Sequence, residues 1–320
     1  MSERAPEVSV VMAVRDGEAE VRASAESVLA QEGVGLELII VDDGSTDATP
    51  EAIAALARTD PRVRPLHQDA AGLTAALIRG CSAARAPVIA RQDAGDRSLP
   101  GRLAAQVAAL ESHPEVVLVA CATRCEAPRG EELYVRRSDG AGAAVALGSP
   151  GSGPGPSAHG AAAFRREIYE RVGGYRPAFR LAQDWDLWLR LGEAGRYFEL
   201  AAELYVQRLR HDSISFRLLD LQRRYGRLAW SAAEARRAGR GEAPVLAEAE
   251  RLGAELAARG AAPSRRSRAL AAYHFGEALR RRGDARGRSY LREAASLDPL
   301  LLRAWLRLLQ AVSRRSLAGS

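Results

Sequence analysis

The chain has 320 residues, with 46 basic and 40 acidic side chains and a hydrophobic fraction of 47%, a composition typical of one or two folded domains. Its charge is uneven: residues 1–213 carry 24 arginines against 30 acidic residues, a net charge of −6, whereas residues 214–320 carry 22 against 10, a net charge of +12. Three cysteines are too few for a disulfide framework, and no signal-type or membrane-spanning apolar stretch is present. We therefore expect a cytoplasmic protein with free thiols and a basic C-terminal extension.

Apolar segments that predict strands alternate with amphipathic segments that predict helices over the first 121 residues. The predicted strands are 8–14, 36–41, 63–67, 88–91 and 116–121, and the predicted helices are 18–31, 48–58, 72–84 and 99–112. Such alternation favours right-handed crossovers and a parallel sheet with helices on both faces. Ligands bind at the carboxyl ends of the strands in these sheets. Polar clusters fall there, at 15–17, 42–45 and 92–96.

The later part of the chain is predicted to be mainly helical. Residues 148–160 are too rich in glycine and proline for a helix or strand, and we expect a flap over the site. Helices are predicted at 165–172 and 183–194, and the pattern is wholly helical beyond about residue 216. Segments 269–282 and 285–296 resemble one tetratricopeptide-type hairpin, although solenoids usually need about three repeats.

The acidic cluster Asp42-Asp43-Gly44-Ser45-Thr46-Asp47 follows a predicted strand and opens a helix. One interpretation is a capping turn, in which Gly44 takes the unusual backbone conformation and a Ser, Thr or Asp side chain caps free N–H groups. The other is a binding role, since two adjacent carboxylates exceed what a cap requires.

Seven segments resemble family 2 glycosyltransferases of the GT-A fold, in order and in spacing. They are 8–17, 38–47, 67–80, 90–103, 159–175, 181–191 and 208–215. The resemblance implies a GT-A type, Rossmann-like and mainly parallel α/β sheet. It also implies a nucleotide-sugar donor and inverting transfer to a hydroxyl acceptor. It divides the chain into a catalytic domain at 1–215 and an all-α, basic extension at 216–320.

The resemblance also implies roles for particular residues. Ala13 and Val14 would line the nucleotide pocket, Asp43 would bond the base, Arg79 would face the diphosphate, and Asp93 would begin the acidic strand-tip motif. Asp184 matches the catalytic carboxylate, and an inverting transfer needs a base to take the proton of the attacking hydroxyl. Without the resemblance, Asp184 is as readily interpreted as the N-cap of helix 183–194. Asp186 is expected to support structure.

Metal binding is where the chain departs from the family pattern Asp-x-Asp-Asp. The third position, the main metal ligand, is Gly95 here. Asp93 and Asp96, with His211 matching a metal-holding histidine, are the candidate ligands for Mn²⁺ or Mg²⁺. Three alternatives stay open: a weaker or water-bridged ion, neutralisation of the diphosphate by arginine (Arg79, Arg91 or Arg97), or nucleotide binding without catalysis.

The resemblance thus implies a hexosyltransferase-type enzyme of surface-polysaccharide or glycoconjugate assembly in the cell envelope. Its expected partners are a nucleotide-sugar and a carbohydrate or lipid-linked acceptor. The basic extension is expected to contact anionic lipid at the inner face of the membrane. It lacks interleaved aromatic residues and any recognised module, so no nucleic-acid partner is expected. The alternative is an impaired relative that binds a nucleotide-sugar or acts as a scaffold, which Gly95 favours.

Overall fold

The computed structural model describes residues 5–137, 141–147, 155–156, 158–258 and 264–316, with side chains described as far as residue 310 except at 214–215. The strands are β1 (Val8–Val14), β2 (Leu36–Asp43), β3 (Val63–Gln68), β4 (Val88–Asp93), β5 (Arg97–Ser98), β6 (Val116–Glu126), β7 (Glu132–Arg136), β8 (Ala144–Val145), β9 (Ala163–Arg165) and β10 (Arg196–Arg208). The helices of the first 240 residues are α1 (Glu18–Leu29), α2 (Thr49–Thr59), α3 (Leu73–Ser82), α4 (Arg102–Ser112), α5 (Arg166–Arg171), α6 (Gln183–Ala194), α7 (Ile214–Arg217) and α8 (Leu219–Arg237). The remaining helices are α9 (Ala243–Ala258), α10 (Arg265–Arg281), α11 (Gly287–Leu297) and α12 (Leu302–Ser316).

The strands form one mixed sheet in the order β3-β2-β1-β4-β9-β6-β10-β5, with β7 beside β6 and β8 beside β10. Strands β3, β2, β1 and β4 are parallel neighbours. Strand β9 is antiparallel to β4 and β6, and β5 and β8 are antiparallel to β10. The parallel half, with its helices, confirms the α/β prediction. The strict alternation of the first 121 residues gave no sign of the antiparallel half.

The two faces of the parallel strands are covered by different helices, because successive side chains of a strand point to opposite sides. Met12, Leu38 and Ile40 belong to one apolar cluster, which includes Val21 of α1 and Leu103 of α4. Their sequence neighbours Val11, Ile39 and Val41 belong to a second cluster, with Leu77 of α3 and Leu187 and Trp188 of α6. Burial on both faces explains why these strands are continuous apolar runs rather than alternating ones.

Arg102, in the first turn of α4, is fully buried and joins several elements of the sheet. Its guanidinium donates to the carbonyl oxygens of Arg91 (2.6 Å) and Gly160 (2.8 Å) and to Gln92 Oε1 (3.0 Å). Its Cζ also lies 4.8 Å from the centre of the Tyr205 ring. All these partners are uncharged, so the cation depends on complete hydrogen bonding to offset its burial.

Most predicted elements are confirmed, with ends that move by a few residues. Helix α6 begins and ends at the predicted residues, 183 and 194. The predicted helix 99–112 begins later, because Arg97–Ser98 form β5 and Gly101 precedes α4. Strands β9 and β10 were not predicted. Residues 148–154 and 157 of the predicted flap lie outside the described residues.

By their internal contacts the residues form two compact units. The first comprises 1–123, 136–207 and 223–256, and the second 124–135, 208–222 and 257–320. These units do not follow a single cut at residue 215, so the division into a catalytic domain and an extension at 215/216 stays a prediction about function.

The second unit contains the predicted helical hairpin, formed by α10 and α11. The close approach depends on two glycines: a Cβ at Gly276 would lie 2.7 Å from Leu291 Cγ, and one at Gly287 would lie 2.8 Å from the Gly276 carbonyl oxygen. Phe275, Leu279 and Tyr290 fill the core beside them. Across the described parts of both units, no helix combines the length and apolarity that crossing a membrane requires.

Replacing Arg102 by alanine should lower the free energy of unfolding by about 3 kcal/mol or more, because two buried carbonyls lose their donor and a cavity remains. Urea unfolding measures the change. Arg58→Ala, on an exposed position of α2, is the control and should change stability by less than about 0.5 kcal/mol. Equal losses in the two variants would contradict the role assigned to Arg102.

Candidate functional site

The predicted nucleotide-binding residues of β1, β2 and β4 meet at one edge of the sheet, because these strands are parallel and in register. Ala13 is paired with Asp93 across β1 and β4, and Val14 is paired with Asp42 across β1 and β2. Asp43 follows Asp42 at the end of β2. The structure thus brings Ala13, Val14, Asp43 and Asp93 to the same edge of the sheet, and their role in nucleotide binding stays a prediction.

Asp43 is buried and holds the loop that precedes α3. Its Oδ1 accepts hydrogen bonds from Gln68 Nε2 (2.8 Å) and Ala71 N (2.8 Å), and its Oδ2 accepts one from Gly72 N (2.9 Å). A carboxylate offers roughly four acceptor positions, so about one remains on Oδ2. The role of Asp43 in base recognition stays a prediction, and its loop-holding role is observed.

Asp42 has a different task, at the same strand end. Its Oδ2 lies 2.7 Å from His67 Nδ1, and its Oδ1 accepts from Ser45 N at 3.1 Å. At the other end of the cluster, Asp47 Oδ1 accepts a 3.0 Å hydrogen bond from the N–H of Thr49, the first residue of α2. The acidic cluster is therefore partly the capping turn that the sequence allowed, and its binding role stays a prediction.

The tip of β4 is a β-turn from Asp93 to Asp96, closed by a 3.1 Å hydrogen bond from Asp96 N to the Asp93 carbonyl. Gly95 has φ +96° at the third position, where glycine is favoured over any side chain. Its N–H donates to Ser24 Oγ at 2.9 Å, and Ser24 Oγ donates to the Asp96 carbonyl at 2.8 Å. An aspartate at position 95 would be strained in this turn. The backbone conformation of the turn therefore favours glycine at the position where the family pattern has a carboxylate.

Arg91 is fully buried directly behind this turn. Its Nη2 donates to Asp93 Oδ1 at 2.8 Å, and its Nη1 donates to the Val11 carbonyl. Its Nε lies 3.4 Å from His159 Nε2, which also accepts a 2.6 Å hydrogen bond from Tyr175 Oη. Burial, reinforced by the Arg91 charge, holds the pKa of His159 well below its usual value. His159 is therefore neutral, and its Nε2 is the acceptor.

Asp184 lies in the first turn of α6 and is partly exposed. Burial raises its pKa to about 6; the backbone N–H of Trp185 opposes the rise, and the nearby charges of Asp93 and Arg91 raise and lower it respectively. These charge interactions bring Asp184 into the same site as Asp93. The N-cap position belongs to Ala182, with φ +50°, so Asp184 is not the N-cap residue.

Asp186, two residues further on, has a structural role, as the sequence predicted. It is buried between Arg176, which donates to both carboxylate oxygens, and Arg190, at 2.6 Å. Helix α6 therefore directs its two acidic residues to different tasks.

The residues predicted to hold a metal are each engaged by protein groups within their own unit. Asp93 Oδ1 is paired with Arg91, and Asp96 Oδ2 accepts a 2.9 Å hydrogen bond from Tyr205 Oη. Gly95 brings no oxygen from a side chain. His211 belongs to the second unit, where its Nε2 lies 3.3 Å from Glu293 Oε1 and its ring packs edge-on against Phe275. Within the described residues, no group of three or more His, Cys, Asp and Glu side chains is placed to hold an ion.

Two further points complete the predicted set. Arg79 is exposed in the last turn of α3, and its contact with a diphosphate stays a prediction. Sequence reasoning missed Tyr175 and Tyr205, which lie far along the chain from Arg91 and Asp96. Tyr175 ends the resembling segment 159–175 but had no role assigned, and Tyr205 lies in none of the resembling segments. The one available signal was Arg91 itself, a charged residue inside a run of buried strand residues.

Comparison with known proteins identifies the family of this chain. The model of "Glycosyl transferase family 2" matches residues 9–173, just over half of the chain. EpsE of Bacillus subtilis (strain 168), described as a glycosyltransferase, is 35% identical over 219 residues, which are 66% of this chain and 76% of EpsE. The succinoglycan biosynthesis protein ExoO of Rhizobium meliloti (strain 1021) is 41% identical over 102 residues, covering 32% of this chain and 29% of ExoO.

Solved structures show the same fold. The mannosyltransferase PcManGT from Pyrobaculum calidifontis, in complex with GDP-Man and Mn²⁺, aligns with a TM-score of 0.57 and 21% identity over 95% of this chain and 84% of its own. TarS 1–349 of S. aureus aligns with a TM-score of 0.53 and 14% identity, over 98% of this chain and 92% of its own. Fold and sequence together define a glycosyltransferase. The chain belongs to glycosyltransferase family 2, with a helical C-terminal region.

The raised pKa of Asp184 predicts a pH-dependent stability. The folded protein holds this proton more tightly than the unfolded chain, whose carboxyl titrates near 3.8, so the stability contributed by Asp184 falls as pH rises from about 4 through about 6. Asp184→Asn should therefore be more stable than the parent at about pH 8, by roughly 1–3 kcal/mol, and similar to it near pH 4.

Urea unfolding at several pH values measures this difference. Asp69→Asn, at an exposed loop position, is the control and should show no pH-dependent change. If Asp184→Asn behaves like Asp69→Asn, the pKa of Asp184 is not raised.

Proposed function

We propose that the protein transfers a sugar, with inversion, from a nucleotide-sugar donor to a hydroxyl acceptor, with Asp184 as the general base. The observation that carries the proposal is the partly exposed Asp184 carboxylate, which interacts with Asp93 at the edge where β1, β2 and β4 end. A base with a pKa near 6 is mostly ionised at neutral pH and still basic enough to accept a proton as the hydroxyl attacks.

The neighbouring residues prepare Asp184 and the donor pocket for this reaction. Neutral His159, which also accepts from Tyr175 Oη, accepts from the Arg91 guanidinium, which in turn fixes the Asp93 carboxylate. Ala13 and Val14 line the nucleotide side, Asp43 offers its remaining acceptor position to the base, and Arg79 faces the diphosphate. Because Asp93 accepts from Arg91 and Asp96 from Tyr205, no step here is assigned to a metal ion, although PcManGT was solved with Mn²⁺.

The biological setting is proposed from the relatives. ExoO is a succinoglycan biosynthesis protein, and EpsE is a glycosyltransferase of Bacillus subtilis. Both support a hexosyltransferase of surface-polysaccharide assembly, acting in the cytoplasm on a carbohydrate or lipid-linked acceptor.

A second candidate is a non-catalytic relative that binds a nucleotide-sugar. The φ of +96° at Gly95 favours it, because the turn is shaped around the missing carboxylate. The two candidates share nucleotide binding and differ in turnover.

Calorimetric titration with UDP, GDP and dTDP, first with Mn²⁺ and then with EDTA, tests the donor site. We expect one nucleotide to bind. Failure of all three under both conditions would overturn both candidates.

Asp184→Asn should keep the affinity for that nucleotide and lose sugar transfer by about 10²–10⁴-fold, because only the base is removed. Release of nucleoside diphosphate from the matching nucleotide-sugar, with a mixture of cell-envelope glycans as acceptors, measures transfer. Glu111→Gln, exposed near the C-terminal end of α4, is the control. If the parent binds nucleotide and transfers nothing, the non-catalytic candidate holds; if Asp184→Asn transfers normally, Asp184 is not the base.

We also propose that the second unit contacts an anionic membrane through α12. Leu301, Ala304 and Leu308 pack this helix into its own unit, whereas Leu302, Leu306 and Leu309 are 75%, 52% and 66% exposed. Residues 299–316 contain four arginines and no acidic residue. An exposed apolar stripe on a basic, acid-free helix matches a bilayer surface with anionic headgroups.

Vesicle sedimentation tests this contact. The protein should bind phosphatidylcholine vesicles containing phosphatidylglycerol more strongly than pure phosphatidylcholine, and the triple change Leu302→Ser, Leu306→Ser, Leu309→Ser should abolish the binding. Leu219→Ser, also exposed, is the control. Equal recovery with both kinds of vesicle would contradict the proposal. So would a dimer in solution that dissociates when the three leucines are changed.

A further inference from the structure

Helices α8 and α9 contribute residues 223–256 to the first compact unit, although the sequence placed them in the extension beyond residue 215. These residues, named here the α8–α9 segment, contact the chain just before α6 and both ends of α6 itself. The stretch they contact at the start of the helix, residues 176–186, contains Asp184. The surroundings of the candidate base therefore include a part of the chain that the family resemblance did not cover.

The most polar of these contacts is a chain of ion pairs through Glu242, in the loop between α8 and α9. Glu242 Oε1 accepts hydrogen bonds from Arg176 Nη1 (2.8 Å) and Arg236 Nη1 (2.6 Å). Arg176 donates through its other nitrogens to both carboxylate oxygens of Asp186, in the first turn of α6. The side chains of Glu242 and Arg176 are largely buried, and hydrogen bonds between ionised groups are the strong ones. One arginine thus links position 242 to the helix turn that carries Asp184.

Two further contacts hold the ends of α6. Arg236 Nε and Nη2 donate to Glu193 Oε2 (2.7 Å) and Oε1 (2.9 Å), in the last turn of the helix. At the other end, a Cβ at Gly226 of α8 would lie 2.9 Å from Trp185 Cζ3 and 3.0 Å from Cε3. Glycine at this position lets α8 lie directly against the residue that follows Asp184. The α8–α9 segment therefore contacts α6 at both ends.

The chain that leads into α6 is held as well. The Phe179 ring lies 6.2 Å from the Tyr225 ring of α8 and 5.2 Å from the Arg176 guanidinium carbon, and its carbonyl accepts a 2.8 Å hydrogen bond from Thr74 Oγ1 of α3. Three residues later, Ala182 has φ +50°. A residue with a Cβ keeps such a conformation only where the surrounding structure imposes it. The contacts on both sides of Ala182 supply that support.

We propose that the α8–α9 segment is a positioning element of the candidate site and that Glu242 is its main positioning residue. Through Arg176 and Asp186, Glu242 fixes the first turn of α6 and hence the direction of the Asp184 carboxylate. A base acts only when its oxygen meets the attacking hydroxyl in the correct geometry, and a displacement of about 1 Å can cost about 100-fold in rate. The inference rests on the proposed function and extends it, because sugar transfer then depends on residues 223–256 as well as on 1–215.

Glu242→Ala tests the inference through the difference between turnover and nucleotide affinity. The kcat of transfer is measured at saturating nucleotide-sugar, with cell-envelope glycans as acceptors, and should fall about ten- to hundredfold. The calorimetric Kd of the nucleoside diphosphate should not change, because nucleotide binding is assigned to the ends of β1, β2 and β4. Glu242→Gln keeps an acceptor oxygen and should retain part of the rate. Glu250→Ala, at an exposed position of α9, is the matched control and should transfer like the parent.

Gly226→Ala tests the same element at a different contact. The added methyl group forces α8 and the Trp185 indole apart, so this variant should also lower kcat and leave the nucleotide affinity unchanged. Urea unfolding first compares each variant with the parent, and calorimetry gives the number of nucleotide sites per chain. A merely structural role would lower that number and the rate in proportion. A positioning role lowers the rate per nucleotide-binding site.

The outcomes distinguish failure of this inference from failure of the proposed function. If the parent transfers sugar and Glu242→Ala transfers at the same rate per site, the inference is wrong and the proposed function stands. The same conclusion follows if Glu242→Ala loses nucleotide affinity in step with transfer, because the segment would then support the whole unit rather than the base. If the parent binds nucleotide and transfers nothing, the proposed function fails and the inference fails with it.

Discussion

Two buried guanidinium groups constrain the centre of this protein. Arg91 and Arg102 are fully buried, and an unpaired cation inside a protein is too costly to persist. Three elements supply partners: β1 through the Val11 carbonyl, β4 through Asp93, and the turn at 159–161 through the Gly160 carbonyl and His159. The antiparallel half of the sheet is thereby joined to the parallel half by hydrogen bonds at fixed atoms, in addition to apolar packing.

The candidate site takes its properties from this arrangement. Arg91 neutralises Asp93 from within the protein. Asp184 keeps a pKa near 6 because burial outweighs the opposing hydrogen bond from the Trp185 backbone N–H and the smaller effect of the Arg91 charge. Tyr205 joins the same network, bonding Asp96 and lying under the Arg102 guanidinium. The carboxylates of the site are therefore distinguished by their partners: Asp93, Asp96 and Asp186 are committed to protein donors, and Asp184 is the one that combines partial exposure with a raised pKa.

Much of this could be predicted from the sequence, because the signals were local. Apolar runs such as 36–41 predict buried strands. Because parallel strands end at the same edge of a sheet, the local pattern alone predicts that Ala13, Asp43 and Asp93 lie at one edge. The same holds for α6, whose ends were correct. What failed was long-range: β9 and β10 lack a distinctive pattern, and the pairing of Tyr205 with Asp96 joins residues 109 apart. The backbone conformation of Gly95 could not be predicted either. The sequence shows that position 95 lacks a carboxylate, but it does not show that residues 93–96 form a β-turn that favours glycine there.

The N-cap residue of α6, Ala182, has a strained backbone conformation. Its φ of +50° lies in the left-handed region, which costs a residue with a Cβ on the order of 1 kcal/mol relative to glycine. The strain is confined to the residue that sets the rotation of the first turn, and hence which side chains of that turn meet solvent. Glycine would relieve the strain and also widen the range of directions from which the chain enters the helix. An exchange of Ala182 for glycine would therefore replace a strained but fixed approach with an unstrained and variable one, directly before Gln183 and Asp184.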